Sequence, residues 1–384
     1  MQPYQQIIML FSEVIGQEVV KRSLIKSVKN NRVSHAQLFL GPEGSGNLAM
    51  AVAFAQYISC EDRKEDDSCG SCSSCVKYNN IAHPDLHFIF PVATNKEVTK
   101  NPRSDLFMQQ WREALKDNPY MSLGQWHRHL GIENKQAIIN AEDCNEIIKK
   151  LSLKTFESEF KVMIIWRAER LFHSAAPKLL KILEEPPDKT LFLLIAENSE
   201  QIIQTILSRT QVVRFKKLDQ QSMEKKLASK FTLDENKLNY IVRMSAGNYT
   251  EALRLVEHSV VKEFNFIEFQ KWMRMCFKKD VVKLMEWIDE VGKIGRERQK
   301  SFIQHALQMV RECLMINYGV GKLVVLTGEE RKFVNNFSPF INNNNCIGIA
   351  EELNKAYYNI ERNANIRILM LDLSISISDM LKKR

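Results

Sequence analysis

Apolar and polar positions divide the chain near residue 216. Up to that point, short apolar runs bounded by turn residues alternate with stretches whose apolar positions recur every three or four residues. Beyond it only the helical period continues. Four runs read as buried strands: Ala36-Gln37-Leu38-Phe39-Leu40, Lys161-Val162-Met163-Ile164-Ile165, Leu191-Phe192-Leu193-Leu194-Ile195 and Gln211-Val212-Val213-Arg214-Phe215. Helical patterns separate them, which predicts an α/β domain with a largely parallel sheet. Asn47 to Ser59 is one such helix, with Leu48, Ala51, Val52, Ala55 and Ile58 at helical spacing. Another is expected to open at Ser174 as N-cap, to tolerate Pro177 in its first turn and to stop at Pro186-Pro187.

After residue 216, three short helical patterns cover 219–229, 234–245 and 249–258, and Gly247-Asn248 breaks the last two apart. From about Val261 the chain reads as helix throughout, with Trp272, Met275, Leu284, Trp287 and Ile288 as candidate core and 347–381 as a long amphipathic pattern. Asn342 to Asn345 is expected to form a turn. Residues 91–135, with Asn101-Pro102, Asn118-Pro119, Trp111 and Trp126, read as an insertion holding one or two helices, and the pattern assigns it no role.

At 384 residues, length suggests two or three domains. With 45% hydrophobic and 26% charged residues the profile is that of a soluble globular protein. No apolar run approaches the ~18 residues that span a bilayer. Residues 1–17 hold no basic segment and no small-residue cleavage site, so no signal peptide and a cytoplasmic location are expected. The net charge of +8 suits contact with nucleic-acid phosphates without selecting that partner.

Four of the eight cysteines, Cys60, Cys69, Cys72 and Cys75, fall within one short segment. Two-residue gaps let four thiolates wrap a tetrahedral Zn²⁺, and a filled ligand set leaves no open position, so the expected metal is structural. Asn79 stands where an iron–sulfur run would place its fourth cysteine. His83 is a weaker ligand candidate, because Pro84-Asp85 indicates a turn. Metal binding on the order of 10–16 kcal/mol would order the charged loop between Cys60 and Cys69.

Gly41-Pro42-Glu43-Gly44-Ser45-Gly46-Asn47-Leu48 sits between strand and helix with the glycine spacing of a phosphate loop. Asn47 replaces the lysine that grips the β- and γ-phosphates, and Leu48 replaces the hydroxyl that ligates Mg²⁺. After Ile165 come Trp166 and Arg167, where an ATPase ends its strand with acidic residues. Gly41, Gly44 and Gly46 therefore form a vestigial loop, and no bound ATP is expected. Ser208-Arg209-Thr210 lies between a helix and a strand, where an arginine is usually a solvated charge or a helix counter-ion.

Taken together these residues resemble the bacterial DNA polymerase III clamp-loader subunits, the delta-prime members most of all. The resemblance rests on Phe11-Ser12-Glu13-Val14-Ile15-Gly16-Gln17, Ser34-His35-Ala36, the cysteine module with His83-Pro84-Asp85, Leu183-Glu184-Glu185-Pro186-Pro187, and Ser208-Arg209-Thr210. Asn363-Ala364-Asn365 also resembles the start of the family's last collar helix. The family fold is an AAA+ module with a helical collar. It implies a RecA-like domain over 1–216, with a zinc module at about 60–83 and the insertion at about 91–135. A helical lid over 217–260 and a helical collar over 261–384 would come next.

Motor members keep Lys-Thr in the loop and Asp-Glu at the strand end, and delta-prime members often lose them. The lid's nucleotide-sensing arginine would fall near Thr250, another loss. Arg209 would act in trans as an arginine finger in a neighbouring ATPase site, an effect worth about 10³–10⁵ in rate elsewhere. Thr210 departs from the usual cysteine, which guanidinium chemistry does not need. The implied role is a subunit without its own ATPase, to which polymerase activity belongs only through the holoenzyme. Its implied partners are tau/gamma-type motor subunits, a delta-type subunit, the sliding clamp and primed DNA, with no membrane. An ATP-hydrolysing motor of the same loader and a monomeric zinc-containing nucleic-acid-binding protein are the competing readings.

Overall fold

The apolar runs become the interior of a parallel sheet. The structure, a computed structural model, describes residues 10–133, 135–152, 154–172, 175–319, 328–362 and 364–382. The chain divides into two compact units, Met1–Leu255 and Val256–Arg384. In the first, β1 (Ala36–Leu40), β2 (Leu86–Ile89), β3 (Lys161–Trp166), β4 (Thr190–Ala196) and β5 (Gln211–Arg214) pair in the order β2-β3-β4-β1-β5. Every pairing is parallel. β1, β3 and β4 are buried at every position, as a sheet covered on both faces requires. β5 is the half-exposed edge, which its apolar pattern does not distinguish from the core strands. β2 carries no comparable signal because it is four residues long and includes His87, whose imidazole burial pushes down to about 4.

Helix α1 (Glu18–Lys29) precedes the sheet, and α2 (Asn47–Ser59), α3 (Ser73–Asn79), α4 (Met108–Asp117), α5 (Leu123–Leu130), α6 (Ala141–Ser152), α7 (Ala176–Glu184) and α8 (Gln204–Leu207) connect the strands. Twelve of the thirteen residues of α2 are buried, which explains its alternating alanines: a helix surrounded by protein needs small residues on every side. Phe54 of α2 meets Phe39 across one sheet face, ring centroids 6.3 Å apart. On the other face Cys144, Ile147, Leu179 and Ile182 of α6 and α7 join Leu38, Met163 and Phe192 in one cluster. Pro177 does sit in the first turn of α7, and Ser174 lies outside the described residues.

The insertion forms two helices, α4 and α5, the latter opened by a reciprocal capping box between Ser122 and Gln125. Trp111 stacks on Phe90 at 4.1 Å and meets Trp126 and Trp166 at 5.2 Å each, so rings hold the insertion against the sheet. Before β2, buried Asp85 accepts the amides of Phe156, Glu157 and Ser158 at 2.8–2.9 Å. Burial pushes its carboxyl up, but those three donors and His83 outweigh that and hold it below the usual range.

Past the sheet come α9 (Gln220–Lys230), α10 (Glu235–Ser245) and α11 (Tyr249–Lys278). The third short pattern is in fact the start of a 30-residue helix, since neither glycine nor proline interrupts it. The expected lid–collar border at 260/261 falls inside that helix.

The second unit adds α12 (Val281–Val291), α13 (Arg296–Asn317), α14 (Gly328–Phe337), α15 (Cys346–Glu361) and α16 (Ile366–Met380). Trp272 and Trp287 stack at 5.7 Å and donate to Ser374 and Glu268, so both indoles are buried with partners. Leu284 and Ile288 are buried with them, while Met275 packs half-buried. The pattern over 347–381 breaks into two helices. Asn365 caps the second by accepting the amides of Arg367 and Ile368, and Asn363 lies outside the described residues. Asn342–Asn345 is a turn closed by Asn345 on the amide of Asn342. No helix among the described residues is long and apolar enough to cross a membrane.

Candidate functional site

Cys60 ends α2, Cys72 caps the start of α3, Cys75 lies in its first turn, and Cys69 projects from the loop between. Their Sγ atoms all lie within 4.8 Å of one another, with Cys60–Cys72 at 4.0 Å and Cys69–Cys75 at 3.9 Å. A tetrahedron of Zn–S bonds has edges of about 3.8 Å, so the set fits a metal ion such as zinc. Backbone amides of Cys69, Cys72 and Cys75 point at the sulfurs of Cys60, Cys69 and Cys72 at 3.3–3.4 Å, donors that stabilise thiolates. The amide of Ser71 brings the Cys69 thiol down to about 6. His83 stands apart from the group. Its Nδ1 accepts the Asp85 amide at 3.1 Å and its Nε2 meets Ser158 Oγ at 3.2 Å, the turn its neighbours predict.

The glycine loop comes directly after β1 at the carboxyl edge of the sheet, and other parts of the chain close over it. Gly44 and Gly46 adopt φ of +72° and +87°. A Cβ on Gly44 would lie 2.0 Å from Asn248 Oδ1, and one on Gly46 would lie 2.9 Å from the Tyr120 ring. The glycines thus admit the protein's own side chains. Asn47 folds back, donating to Gly41 O at 3.3 Å and accepting the Leu48 amide at 2.9 Å, while Leu48 is buried.

Tyr120, from the insertion, is the plug. Its hydroxyl accepts the Ile15 amide at 2.8 Å, its carbonyl accepts from Thr250 Oγ1, and its ring lies 4.9 Å from that of Tyr249. Thr250, at the start of α11, is therefore engaged with the plug. The space left among Gly44, Gly46, Tyr120, Met121, Arg167 and Glu197 measures about 10 Å³, the lower limit for one water molecule.

Arg167 lines the same space. It leaves β3 with φ of 61° and is 5% exposed. Its guanidinium pairs with Glu197, Glu43 at 3.6 Å and Glu169 at 3.7 Å, and lies 5.2 Å from the Trp166 ring centroid. Burial raises the carboxyls of Glu169 and Glu197, and the cation beside them opposes that rise. The chain's own positive charge stands among acids where a nucleotide site would hold Mg²⁺.

Arg209 lies at the other edge. β5 pairs in register with β1, Gln211 with Gln37 and Arg214 with Leu40. Residues 208–210 enter that strand pair and the glycine loop leaves it, about 13 Å of strand away. Arg209 is therefore separated from its own cradle by the length of the strand. Its Nη2 pairs with Glu184 and its Nη1 donates to Thr205 O at 3.0 Å and Ser208 Oγ at 3.3 Å. The same amino edge carries His35, whose Nε2 meets Leu183 O at 3.1 Å, and His83-Pro84-Asp85. Sequence reasoning missed Tyr120 and the acids around Arg167. Glu197, directly after a buried strand, was the one signal available for the latter.

Residues 16–219, more than half of the chain, match the family described as DNA polymerase III, delta subunit. DNA polymerase III subunit tau of Bacillus subtilis is 24% identical over 321 residues, 82% of this chain and 48% of that protein. DNA polymerase III subunit delta' of the same organism is 27% identical over 245 residues, 64% of this chain and 60% of that one. The chain thus spans about half to three fifths of the length of these relatives. A DNA polymerase III gamma subunit-related protein from Thermotoga maritima covers 94% of this chain and 99% of its own at 13% identity and a TM-score of 0.38.

Replacing Tyr120 by alanine should open a cavity beside Gly46 and Tyr249 and destabilise the first unit by about 3–5 kcal/mol. Tyr120→Phe, losing one hydrogen bond, should cost about 1 kcal/mol. Urea unfolding monitored by tryptophan emission measures both, and an unchanged Tyr120→Ala midpoint would show that the ring does not pack as described.

Proposed function

The chain belongs to the DNA polymerase III delta-subunit family, a bacterial clamp-loader AAA+ family, and on that premise we propose that it is a non-hydrolysing, delta-prime-like subunit of the loader. The observation that carries this reading is the closed cradle. An ATPase needs room for phosphates, an amine to grip them and acids to hold Mg²⁺. Here Tyr120 takes the room, Asn47 turns back on the loop, and Arg167 occupies the acids.

What the chain offers instead is Arg209, presented at the opposite edge of the sheet, where only another subunit's nucleotide can meet it. A guanidinium aimed there stabilises charge developing on the transferring γ-phosphoryl group. Residues 217–260 then serve as lid and 261–384 as the collar that joins a ring with tau/gamma-type motors and a delta-type subunit. The sliding clamp and primed DNA are met through that assembly. Cys60, Cys69, Cys72 and Cys75 hold a structural Zn²⁺, which supplies folding energy and no catalysis.

The competing motor reading draws on the tau relative, which covers more of this chain than the delta' relative does. Titrating the isolated chain with ATP decides between them. The expected outcome is no Mg²⁺-dependent binding, and tight binding would restore the motor.

In a reconstituted loader, Arg209→Ala should slow DNA-stimulated ATP turnover at the adjoining motor site by about 10³-fold or more with assembly intact. Unchanged turnover and clamp loading would refute the finger.

Metal analysis of the reduced, purified chain should return about one zinc per polypeptide. Chelation should remove amide protection between residues 60 and 83. A ratio near zero would remove zinc from the account.

A further inference from the structure

Glu184 and Glu185 close α7, where the unpaired carbonyls of a last helical turn disfavour negative charge. Glu184 has a compensating partner in Arg209, 25 positions along the chain, at the amino edge of the sheet. The two amino ends of the Arg209 fork are thereby held by different elements. Nη2 is held by the carboxylate ending α7, and Nη1 by the Thr205 carbonyl and Ser208 hydroxyl at the end of α8. Two anchored ends fix the plane of a guanidinium as well as its position. The pair is only half-buried, with Arg209 36% and Glu184 47% exposed, so it adds little to folding stability. Pro186-Pro187 stop the helix directly behind the carboxylate and limit where it can go.

We propose that Glu184 is a positioning residue for Arg209: it holds the guanidinium from behind, in the orientation in which its remaining N–H groups meet the γ-phosphate of a neighbouring subunit. The inference rests on the trans-finger reading and adds to it the group that sets the finger's geometry. The count of donors agrees. A carboxylate anchored at one end of the fork leaves Nε–H and a further Nη–H free to donate to phosphate oxygens. Displacing a transition-state contact by a fraction of an ångström lowers the chemical rate more than it weakens ground-state binding.

The test uses the loader reconstituted from this chain with its motor and delta-type subunits. Glu184→Gln and Glu184→Ala should each lower kcat for DNA-stimulated ATP hydrolysis by about three- to tenfold, with KM for ATP shifted less than about twofold. In an Arg209→Ala background the same changes should add nothing. In the free chain, ¹⁵N relaxation of the Arg209 Nε–H should report a larger amplitude of motion in Glu184→Gln than in the unaltered protein. If Arg209→Ala slows turnover while both Glu184 variants run at the unaltered rate or faster, Glu184 is no positioning residue and the finger stands. Additive losses in the double variants would equally assign Glu184 to some other role. If Arg209→Ala itself has no effect, the finger and its positioning residue fall together.

Discussion

In a parallel sheet, the segments that leave the strands and the segments that enter them are kept a strand length apart, on two edges that cannot exchange chemistry. This constraint organises the first unit. The glycine loop after β1, Arg167 after β3 and Glu197 after β4 all belong to the carboxyl edge. Ser34-His35 before β1, His83-Pro84-Asp85 before β2, Leu183 to Pro187 before β4 and Ser208-Arg209-Thr210 before β5 belong to the amino edge. The residues that carry the family resemblance thus gather on one edge. The residues that break the nucleotide-binding pattern gather on the other. The exceptions are 11–17, which lies against the cradle through Ile15 and Gln17, and 363–365, which belongs to the second unit.

At the carboxyl edge the buried charge of Arg167 is compensated by acids of the same chain. A guanidinium as buried as Arg167 would be strongly unfavourable alone, and removing one partner of a buried pair typically costs about 3–5 kcal/mol. Three carboxylates and an indole face surround it. Without a cation between them the same acids would repel a triphosphate, and Arg167 supplies that cation from the chain itself. On the proposed reading, the strand-end arginine sets a protein cation among these acids in the place a nucleotide's Mg²⁺ would take. Tyr120 fills the space beside Gly46 and links the insertion to the start of α11 through Thr250.

Sequence legibility tracks burial. β1, β3 and β4 can be read because strands covered on both faces are continuous apolar runs, and the cysteine group because metal ligands must recur at fixed spacing. β2 cannot, since its His87 breaks a four-residue run and its identity depends on Asp85 anchoring a loop 71 residues later. Tyr120 is invisible for another reason. A plug is defined by the cavity it fills, and nothing in Asn118-Pro119-Tyr120 names Gly46 as its neighbour. The pairing of Glu184 with Arg209 joins two motifs that are legible separately, and only the β4–β1–β5 order brings them together.

The cysteine module is tied to this arrangement through the segment it orders. The loop between Cys60 and Cys69 is dominated by charge and has little apolar surface to bury, so the convergence of four sulfurs must supply its order. Once ordered, the loop presents Asp67, whose carboxylate accepts the amides of Phe11 and Ser12 at 2.9 Å each. Those bonds hold the short helical turn Phe11–Glu13, from which Ile15 reaches the Tyr120 hydroxyl and Gln17 reaches the carbonyls of Ser45 and Lys216. An unbroken series of contacts therefore runs from the sulfur cluster to the plug and the glycine loop. The module thereby sets the N-terminal segment that lies against Tyr120 and the glycine loop.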